Sequence, residues 1–155
     1  MMTLIIGEID SGKTTRLLRH YADHSKGDGF ALLKMMDGKR VLGFHAMRLS
    51  TGETHPLLTH QRGNEGFSGG MMIGPYLVEL DMYREMMVQY HKMIDLRTSP
   101  IYIDEIGQWE LSGQGFDGII QRALDLDIHL ICTVRDIFVE KVVTHYHIEG
   151  NYMTL

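Results

Sequence analysis

The sequence is poor in three residue types: it has one cysteine, three prolines and one tryptophan among 155 residues. The single cysteine, Cys132, excludes an internal disulfide, and its place in the apolar run IHLICTV predicts a buried thiol. A surplus of positive charge is also missing, since the formal net charge is -5, and this argues against a nucleic-acid-binding surface. The remaining composition, 44% hydrophobic and 23% charged, is that of a globular domain.

Long apolar runs are absent as well. No stretch approaches the roughly 18 to 20 apolar residues that span a bilayer, so we expect no contact with a membrane. The chain passes from Met1-Met2 straight into TLIIG, without the basic segment and cleavage site of a signal peptide. We therefore expect a cytoplasmic protein that forms one domain, residues 1–155, since no repeat or linker divides the chain.

Apolar runs alternate with segments of helical periodicity along the chain. The predicted helices cover 13–27, 81–96, 115–127 and 137–146, and the predicted strands cover 3–7, 29–36, 40–49, 55–60, 76–80, 99–107, 128–134 and 152–155. Asp37-Gly38 between two apolar runs indicates a β-hairpin, and the rest of residues 50–70 is predicted as turns and loop. This order predicts an α/β fold with a mostly parallel central sheet, flanking helices and a β-hairpin excursion.

Residues 7–15, GEIDSGKTT, fit the pattern Gly-x-x-x-x-Gly-Lys-Thr of a phosphate-binding P-loop, the Walker A motif. The two glycines let the backbone turn tightly so that its N–H groups face phosphate oxygens, and the helix that follows adds its positive end. We expect Lys13 to reach the β- and γ-phosphates and the Thr14 hydroxyl to ligate Mg²⁺. The predicted nucleotide site is the whole loop: Gly7, Glu8, Ile9, Asp10, Ser11, Gly12, Lys13, Thr14 and Thr15.

Two acidic residues, Glu8 and Asp10, stand in this loop although phosphate is an anion. Because the backbone amides face the phosphates in such loops, the variable side chains can point outward, and solvated carboxylates are one interpretation. The other is that one of the two carboxylates positions a water molecule or a substrate. Both interpretations remain open at the level of sequence.

The segment IYIDEIG, residues 101–107, supplies the acidic residues that a Walker B motif places beside a phosphate loop. An aspartate at the end of an apolar strand can hold Mg²⁺, and Asp104 is in that position. Glu105 would point out of the strand end toward the γ-phosphate, where a carboxylate can orient or deprotonate a water molecule. The alternative is that two acids end a strand at the surface.

Polar residues also follow the apolar run IHLICTV. Thr133 could contact the γ-phosphate, and Arg135 could offset the charge of the transition state, or both could be solvated at a strand end. The segment TVRD lacks the lysine of the guanine-reading motif of GTPases, so guanine specificity is not indicated. Trp109, just past the acidic pair, either packs against a helix or borders a base.

These motifs give the sequence its resemblance to a family of small nucleoside-triphosphatases from thermophiles that has a cancer-related human relative. DEIGQWEL resembles the family block Asp-Glu-Ile-Gly-x-Met-Glu-Leu, GFALLKMMDGKRVLGF resembles its Gly-Phe…Gly-x-Arg-x-Gly-Phe hairpin, and IGPYLVE and TVRDIFVEKV match further regions. The resemblance implies a RecA-like domain that hydrolyses ATP, GTP and other triphosphates slowly and with broad specificity. It also implies that the loop takes phosphate, that Asp104 takes Mg²⁺ and that Glu105 takes water.

One departure from the family lies in the hairpin. The family carries a Glu-Val-Arg-like stretch after its Gly-Phe, whereas this chain reads LLKMM, with Met36 near the position of the arginine. Lys34 or Arg40 could replace that positive charge. The departure bears on rate and substrate more than on nucleotide binding.

The sequence therefore predicts a Mg²⁺-dependent nucleoside-triphosphatase in which Glu105, Lys13 and Arg135 act on the phosphates. One alternative is a kinase that moves the γ-phosphate to a small acceptor, with the segment at 50–70 covering the acceptor and Arg62 as the one arginine there. Another is a nucleotide-dependent switch or assembly protein with an unidentified protein partner.

Overall fold

In the computed structural model, residues 1–61 and 70–155 are described, and they form strands and helices in alternation. The strands are β1 (Met2–Gly7), β2 (Asp28–Asp37), β3 (Arg40–Arg48), β4 (Thr54–His60), β5 (Met72–Ile73), β6 (Tyr76–Val78), β7 (Ile101–Ile106), β8 (Leu130–Arg135) and β9 (Tyr152–Thr154). The helices are α1 (Lys13–His24), α2 (Leu80–Asp95), α3 (Gln108–Leu111), α4 (Asp117–Asp125) and α5 (Val139–His145), with a 3-10 helix at Asp136–Phe138.

The strands form a single sheet of two halves in the order β5-β6-β4-β3-β2-β7-β8-β1-β9. All pairings from β2 to β9 are parallel, and all pairings from β5 to β2 are antiparallel. The expectation of a mostly parallel sheet is therefore wrong, since the sheet is mixed, whereas the predicted hairpin is present as β2 and β3. The reason is that β2 pairs with β7 only through residues 28–30 and then continues along β3, so the hairpin extends the sheet.

Helices cover both faces of the parallel half. On β7, Tyr102 packs with α1 residue Leu17 in one apolar cluster, whereas Ile101 and Ile103 belong to a second cluster on the opposite face, with residues of α2, α4 and α5. Adjacent strand residues point to opposite faces, so a strand between two helical layers must be apolar at every position. The prediction that β7 is buried on both faces is confirmed.

The predicted elements agree with the structure at most places. The predicted first helix is three residues too long, because it ends at His24 and Ser25 takes a left-handed conformation with φ +46°. The helix α3 and the strand β5 were not predicted, since four and two residues are too few to show a period. In the described parts of the chain no helix is long and apolar enough to cross a membrane.

Cys132 lies on β8, and its thiol is in the hydrophobic core with 0% of the residue exposed, as its apolar surroundings in the sequence predicted. Burial raises the pKa of this thiol, and the Glu110 and Asp104 carboxylates raise it further. We expect the native protein to react with an uncharged maleimide at least about a hundred times more slowly than the unfolded chain, because the thiolate is the reactive form. Mass spectrometry with and without denaturant measures this ratio, and rapid labelling of the native protein would contradict the buried position.

Candidate active site

The loop between β1 and α1 depends on glycine at both ends. A Cβ on Gly7 would lie 2.2 Å from Oγ of Ser11, so a side chain at residue 7 would displace that hydroxyl. Gly12 has φ +82°, a left-handed conformation that L side chains rarely adopt. The hydroxyl of Ser11 donates to the carbonyl oxygen of Glu8 at 2.8 Å, which closes the loop on itself.

Lys13 begins α1 directly after this loop. The residue is 8% exposed, and its Nζ donates to the carbonyl oxygen of Glu8 at 2.6 Å, so the ammonium group lies against the loop. No side chain caps the N-terminus of α1. The first-turn N–H groups of the helix, which have no intrahelical acceptor, therefore add their partial positive charge to that of Lys13.

The carboxylate of Asp104 lies next to the first turn of α1. Thr14 Oγ1 donates to its Oδ2 at 2.8 Å, the backbone N–H of Leu32 donates to the same oxygen at 2.9 Å, and Thr133 Oγ1 donates to Oδ1 at 2.6 Å. The residue is 4% exposed. Burial raises the pKa of Asp104, while the hydrogen bonds from Thr133, Leu32 and Thr14 lower it. Three elements, α1, β2 and β8, thus hold one buried carboxylate.

Glu105 lies at a break in the sheet. The pairing of β7 with β8 shifts register between Ile103 and Ile106, and Glu105 has φ +69°, which is uncommon for a residue with a side chain. Its N–H donates to Oγ1 of Thr133 at 2.7 Å instead of joining the ladder. β7 ends at Ile106, within the predicted strand 99–107, and the bulge re-aims the side chains near its end.

Both negative and positive groups shift the pKa of the Glu105 carboxylate. Burial raises the pKa of Glu105 above its ordinary value, and the neighbouring Asp104 carboxylate raises it further. Three cations lower it: Lys13, Arg135 and Lys34. Although the residue as a whole is exposed, its carboxylate is therefore partly desolvated and faces positive groups from three parts of the chain.

A cavity of about 440 Å³ lies over the loop, and we call it the loop cavity. Most of the predicted nucleotide-binding residues line it, together with Glu105 and residues of β2 and β3. The lining residues are Ile9, Asp10, Ser11, Gly12, Lys13, Thr14, Thr15, Leu18, Leu32, Leu33, Lys34, Phe44 and Glu105. Of the loop residues named from the sequence, Gly7 and Glu8 do not line the cavity. The carbonyl oxygen of Glu8 instead accepts the hydrogen bonds from Ser11 and Lys13 that hold the loop.

The two acidic residues of the loop differ in their surroundings. Glu8 is exposed, whereas Asp10 forms a salt bridge with Lys34 of β2. Lys34 also lines the loop cavity, so it brings a positive charge from the hairpin to the loop. Met36, at the position of the family's arginine, is 46% exposed, and Arg40 lies opposite Asp37 at the hairpin tip and lines no cavity described here.

Arg135 does not line the loop cavity. It lines a second cavity of about 350 Å³, which we call the aromatic cavity, and Glu105 lines both. The guanidinium carbon of Arg135 lies 5.6 Å from the centroid of the Phe138 ring, and its Nε is buried without a hydrogen-bond partner in the described residues. Trp109 lines the aromatic cavity as well, and its indole N–H donates to Oε1 of Gln114 at 2.6 Å.

Two contributors to the site were missed at the level of sequence. The N–H of Leu32 holds Asp104 from a strand of the hairpin, and only the tertiary pairing of β2 with β7 reveals this contact. Glu110, 4% exposed, accepts N–H hydrogen bonds from Gly107 at 3.0 Å and from Phe116 at 3.2 Å. It thereby fixes the turn after the acidic pair, and the spacing of Glu110 at the third position of a short helix is the signal that could have shown it.

Other residues named from the sequence lie elsewhere or outside the described residues. Arg62, the one arginine named for a kinase lid, lies outside them. His20 and His24 stack on one face of α1 with ring centroids 4.1 Å apart. Within residues 1–61 and 70–155, no group of three or more His, Cys, Asp or Glu side chains could hold a metal ion.

Comparison with known proteins assigns the chain to a family. The family model described as NTPase matches residues 2–153. The nucleoside-triphosphatase THEP1 of Thermotoga maritima is 28% identical over 145 residues, covering 92% of this chain and 80% of the relative, and that of Methanothermobacter thermautotrophicus is 29% identical over 139 residues, covering 86% and 76%. The solution structure of a human cancer-related nucleoside triphosphatase has the same fold, with a TM-score of 0.65, 20% identity, and coverage of 99% of this chain and 87% of that chain. Because the family model matches nearly the whole sequence, the protein belongs to the NTPase family.

Proposed function

We propose that the protein hydrolyses nucleoside triphosphates to the diphosphate and phosphate, with Mg²⁺ as cofactor, in a P-loop domain of the RecA-like kind. The observation that carries this proposal is the 2.8 Å hydrogen bond between Thr14 and Asp104, which are 90 residues apart in sequence. It joins the Walker A loop, whose Thr14 lines the loop cavity, to the Walker B carboxylate. The names of the THEP1 relatives, which are nucleoside-triphosphatases, support the same reaction.

The strand order supports the RecA-like assignment. β8 lies between β1, which carries the phosphate loop, and β7, which carries the acidic pair. The hydroxyl of Thr133 on β8 consequently stands between the two and contacts both Asp104 and the N–H of Glu105. The intervening strand leaves room for a triphosphate between the loop and Glu105.

The residues present fit a magnesium ion. Asp104 is a buried carboxylate, and in the described part of the chain no lysine, arginine or histidine forms a salt bridge with it. Buried carboxylates are normally paired with a cation or coordinate a metal. Thr14 and Asp104 offer adjacent oxygen ligands, which Mg²⁺ prefers, and a triphosphate and water complete such a set. When bound, the ion would draw negative charge from the phosphate oxygens.

The remaining groups act on the phosphates directly. Lys13 would exchange the carbonyl oxygen of Glu8 for β- and γ-phosphate oxygens, because its ammonium group already lies against the loop. Glu105 would orient a water molecule in line with the γ-phosphorus and accept its proton, since Glu105 and Lys13 line the same cavity. Arg135, which lines the aromatic cavity together with Glu105, would offset negative charge in the transition state.

Phosphate release from ATP, GTP, CTP and UTP tests this function. Aliphatic side chains form much of the wall of the loop cavity, among them Ile9, Leu18 and Leu33. Apolar contacts discriminate weakly among bases, so we expect kcat/KM values within about tenfold of one another. Failure of all four triphosphates to yield phosphate would reject the proposal.

Thr133 is expected to position the acidic pair, because its one hydroxyl group holds both Asp104 and the backbone of Glu105. Replacing Thr133 with valine keeps the shape but removes the hydrogen bonds to Oδ1 of Asp104 and to the N–H of Glu105, which should cost about 1–3 kcal/mol in the free energy of unfolding. It should also lower kcat more than it raises KM for ATP. Urea unfolding and steady-state kinetics measure the two effects, and Thr133→Ser, which keeps the hydroxyl, should restore most of the turnover.

A further inference from the structure

The aromatic cavity adjoins the proposed hydrolytic site, and most of its lining residues have no role in the proposed hydrolysis. The antiparallel half of the sheet, β7, α2 and α3 enclose its volume of about 350 Å³, which lies within the usual range for small-molecule sites. Aromatic rings form much of its wall: Phe44, Tyr76, Tyr83, Trp109, Phe116 and Phe138. The cavity thus suits a flat organic group rather than a polar one.

The aromatic cavity adjoins the loop cavity at a defined boundary. Leu32, Phe44 and Glu105 line both cavities. The phosphate loop lines only the loop cavity, and Tyr76 and Trp109 line only the aromatic cavity. A γ-phosphate held between the loop and Glu105 would therefore lie next to the aromatic cavity. We call the part of that cavity lined by Leu32, Phe44 and Glu105 its mouth.

Few charged groups line the aromatic cavity. Asp104 and Glu105 lie on β7, Glu110 lies on α3, and Arg135 is the one basic side chain among the described residues that line the cavity. The Glu110 carboxylate already accepts hydrogen bonds from the N–H groups of Gly107 and Phe116. The Nε of Arg135 is buried without a hydrogen-bond partner in the described part of the chain, so the guanidinium has an unused donor. One cation beside three carboxylates favours an uncharged occupant over one that already carries phosphate, because like charges repel.

From this arrangement we infer that the aromatic cavity binds a phosphoryl acceptor, an uncharged alcohol with one aromatic or heteroaromatic ring. The ring would lie among Tyr76, Tyr83 and Trp109, and the hydroxyl would reach Glu105 at the mouth. This inference rests on the proposed function, because the bound triphosphate of that reaction supplies the phosphoryl group.

The transfer step balances without any further reactant. Glu105 accepts the hydroxyl proton, and the alcohol oxygen forms a bond to the γ-phosphorus. The bond from that phosphorus to the β,γ-bridging oxygen breaks, and its electron pair remains on the nucleoside diphosphate. The products are a phosphate monoester and the diphosphate, and the proton passes from Glu105 to solvent. Water takes the place of the alcohol when the aromatic cavity is empty.

Label transfer from γ-³²P-ATP tests the inference. The full-length protein is incubated with labelled ATP, Mg²⁺ and one alcohol at a time: adenosine, guanosine, cytidine, uridine, benzyl alcohol and 3-hydroxymethylpyridine. Chromatography separates labelled ester from free phosphate. We expect at least one alcohol to take label, and the same alcohol to change the emission of Trp109, the only tryptophan, in the presence of a non-hydrolysable ATP analogue.

Two substitutions on β5 localise the acceptor. Ile73 lines the aromatic cavity, whereas its neighbour Met72 is 38% exposed and does not. Ile73→Trp would fill part of the cavity and should lower the ratio of labelled ester to free phosphate about tenfold or more. Met72→Trp adds the same bulk on the outward side and should leave both products unchanged. An equal ratio in the two variants would place the acceptor elsewhere and overturn the inference.

The outcomes separate the inference from the proposed function. Release of phosphate without label on any of the six alcohols, and without a change in Trp109 emission, rejects the acceptor site and leaves hydrolysis intact. Absence of both free phosphate and labelled ester rejects hydrolysis itself, and with it the acceptor site.

Discussion

Replacing Lys13 with alanine should lower the turnover of ATP hydrolysis by about a hundredfold to a thousandfold. The ammonium group lies against the phosphate loop at the start of α1, and the buried position of the residue keeps it there. Stabilisation of charge in a site of low dielectric constant is worth more than in water, so its removal raises the barrier steeply. The measurement is phosphate release at saturating ATP, with nucleotide binding measured separately.

The control for this substitution is Lys26→Ala. Lys26 is exposed between α1 and β2 and lines neither cavity described here, so its loss should change turnover less than about twofold. Thermal unfolding of both variants shows whether the fold is retained. A Lys13→Ala protein that is folded, binds ATP and hydrolyses it at the rate of the unsubstituted protein would contradict the role of the loop lysine.

Replacing Glu105 with glutamine should abolish most phosphate release while ATP binding persists. The amide keeps the shape of the side chain and can keep a hydrogen bond to water, but it cannot accept the proton, and a positioned base contributes about a hundredfold to ten-thousandfold. Binding should persist because, in the proposed site, Lys13, the loop and a Mg²⁺ held by Thr14 and Asp104 would bind the phosphates, and Glu105 would not. Single-turnover phosphate release and equilibrium binding of a fluorescent ATP analogue measure the two properties.

Glu53→Gln is the matched control, because Glu53 is an exposed carboxylate at the turn before β4 and contributes only backbone groups to its neighbours. It should release phosphate at the unchanged rate. If Glu105→Gln did the same, another group would have to activate the water, and the bulge that places Glu105 between the two cavities would need a different explanation.

Local patterns in the sequence predicted most of the fold. Continuous apolar runs predicted the buried strands β1, β7 and β8, and Asp37-Gly38 predicted the hairpin turn, because turn chemistry and burial act over a few residues. The mixed character of the sheet was not predicted. It depends on β2 pairing with β7 over three residues and with β3 over the rest, a choice between distant partners that no local period records.

The sequence named residues for a candidate site, and their geometry comes from the structure alone. A loop of fixed spacing and an aspartate after an apolar run are local signals, and the structure brings Thr14 and Asp104 together. The bulge at Glu105 is different, because it arises where Thr133 takes the N–H that the ladder would otherwise use. The aromatic cavity was not predicted either, since its wall comes from many separate segments between Leu32 and Phe138.

The substitutions in the hairpin also gain a physical interpretation from the structure. Met36 stands where the family carries an arginine, and it is exposed rather than directed to the site. Lys34, two residues earlier on β2, reaches Asp10 of the loop instead. The loop acid that looked unfavourable for phosphate binding thus has a cation beside it, and the pair ties the hairpin to the loop.

The most direct test of the central claim is the release of phosphate from γ-³²P-ATP by the unmodified protein, with Mg²⁺ and with excess EDTA in its place. The structure predicts steady release with the metal and a loss of at least about a hundredfold without it, because Thr14 and Asp104 offer the oxygen ligands of a metal-bound triphosphate. Release at the same rate in EDTA, or no release in Mg²⁺, would contradict it.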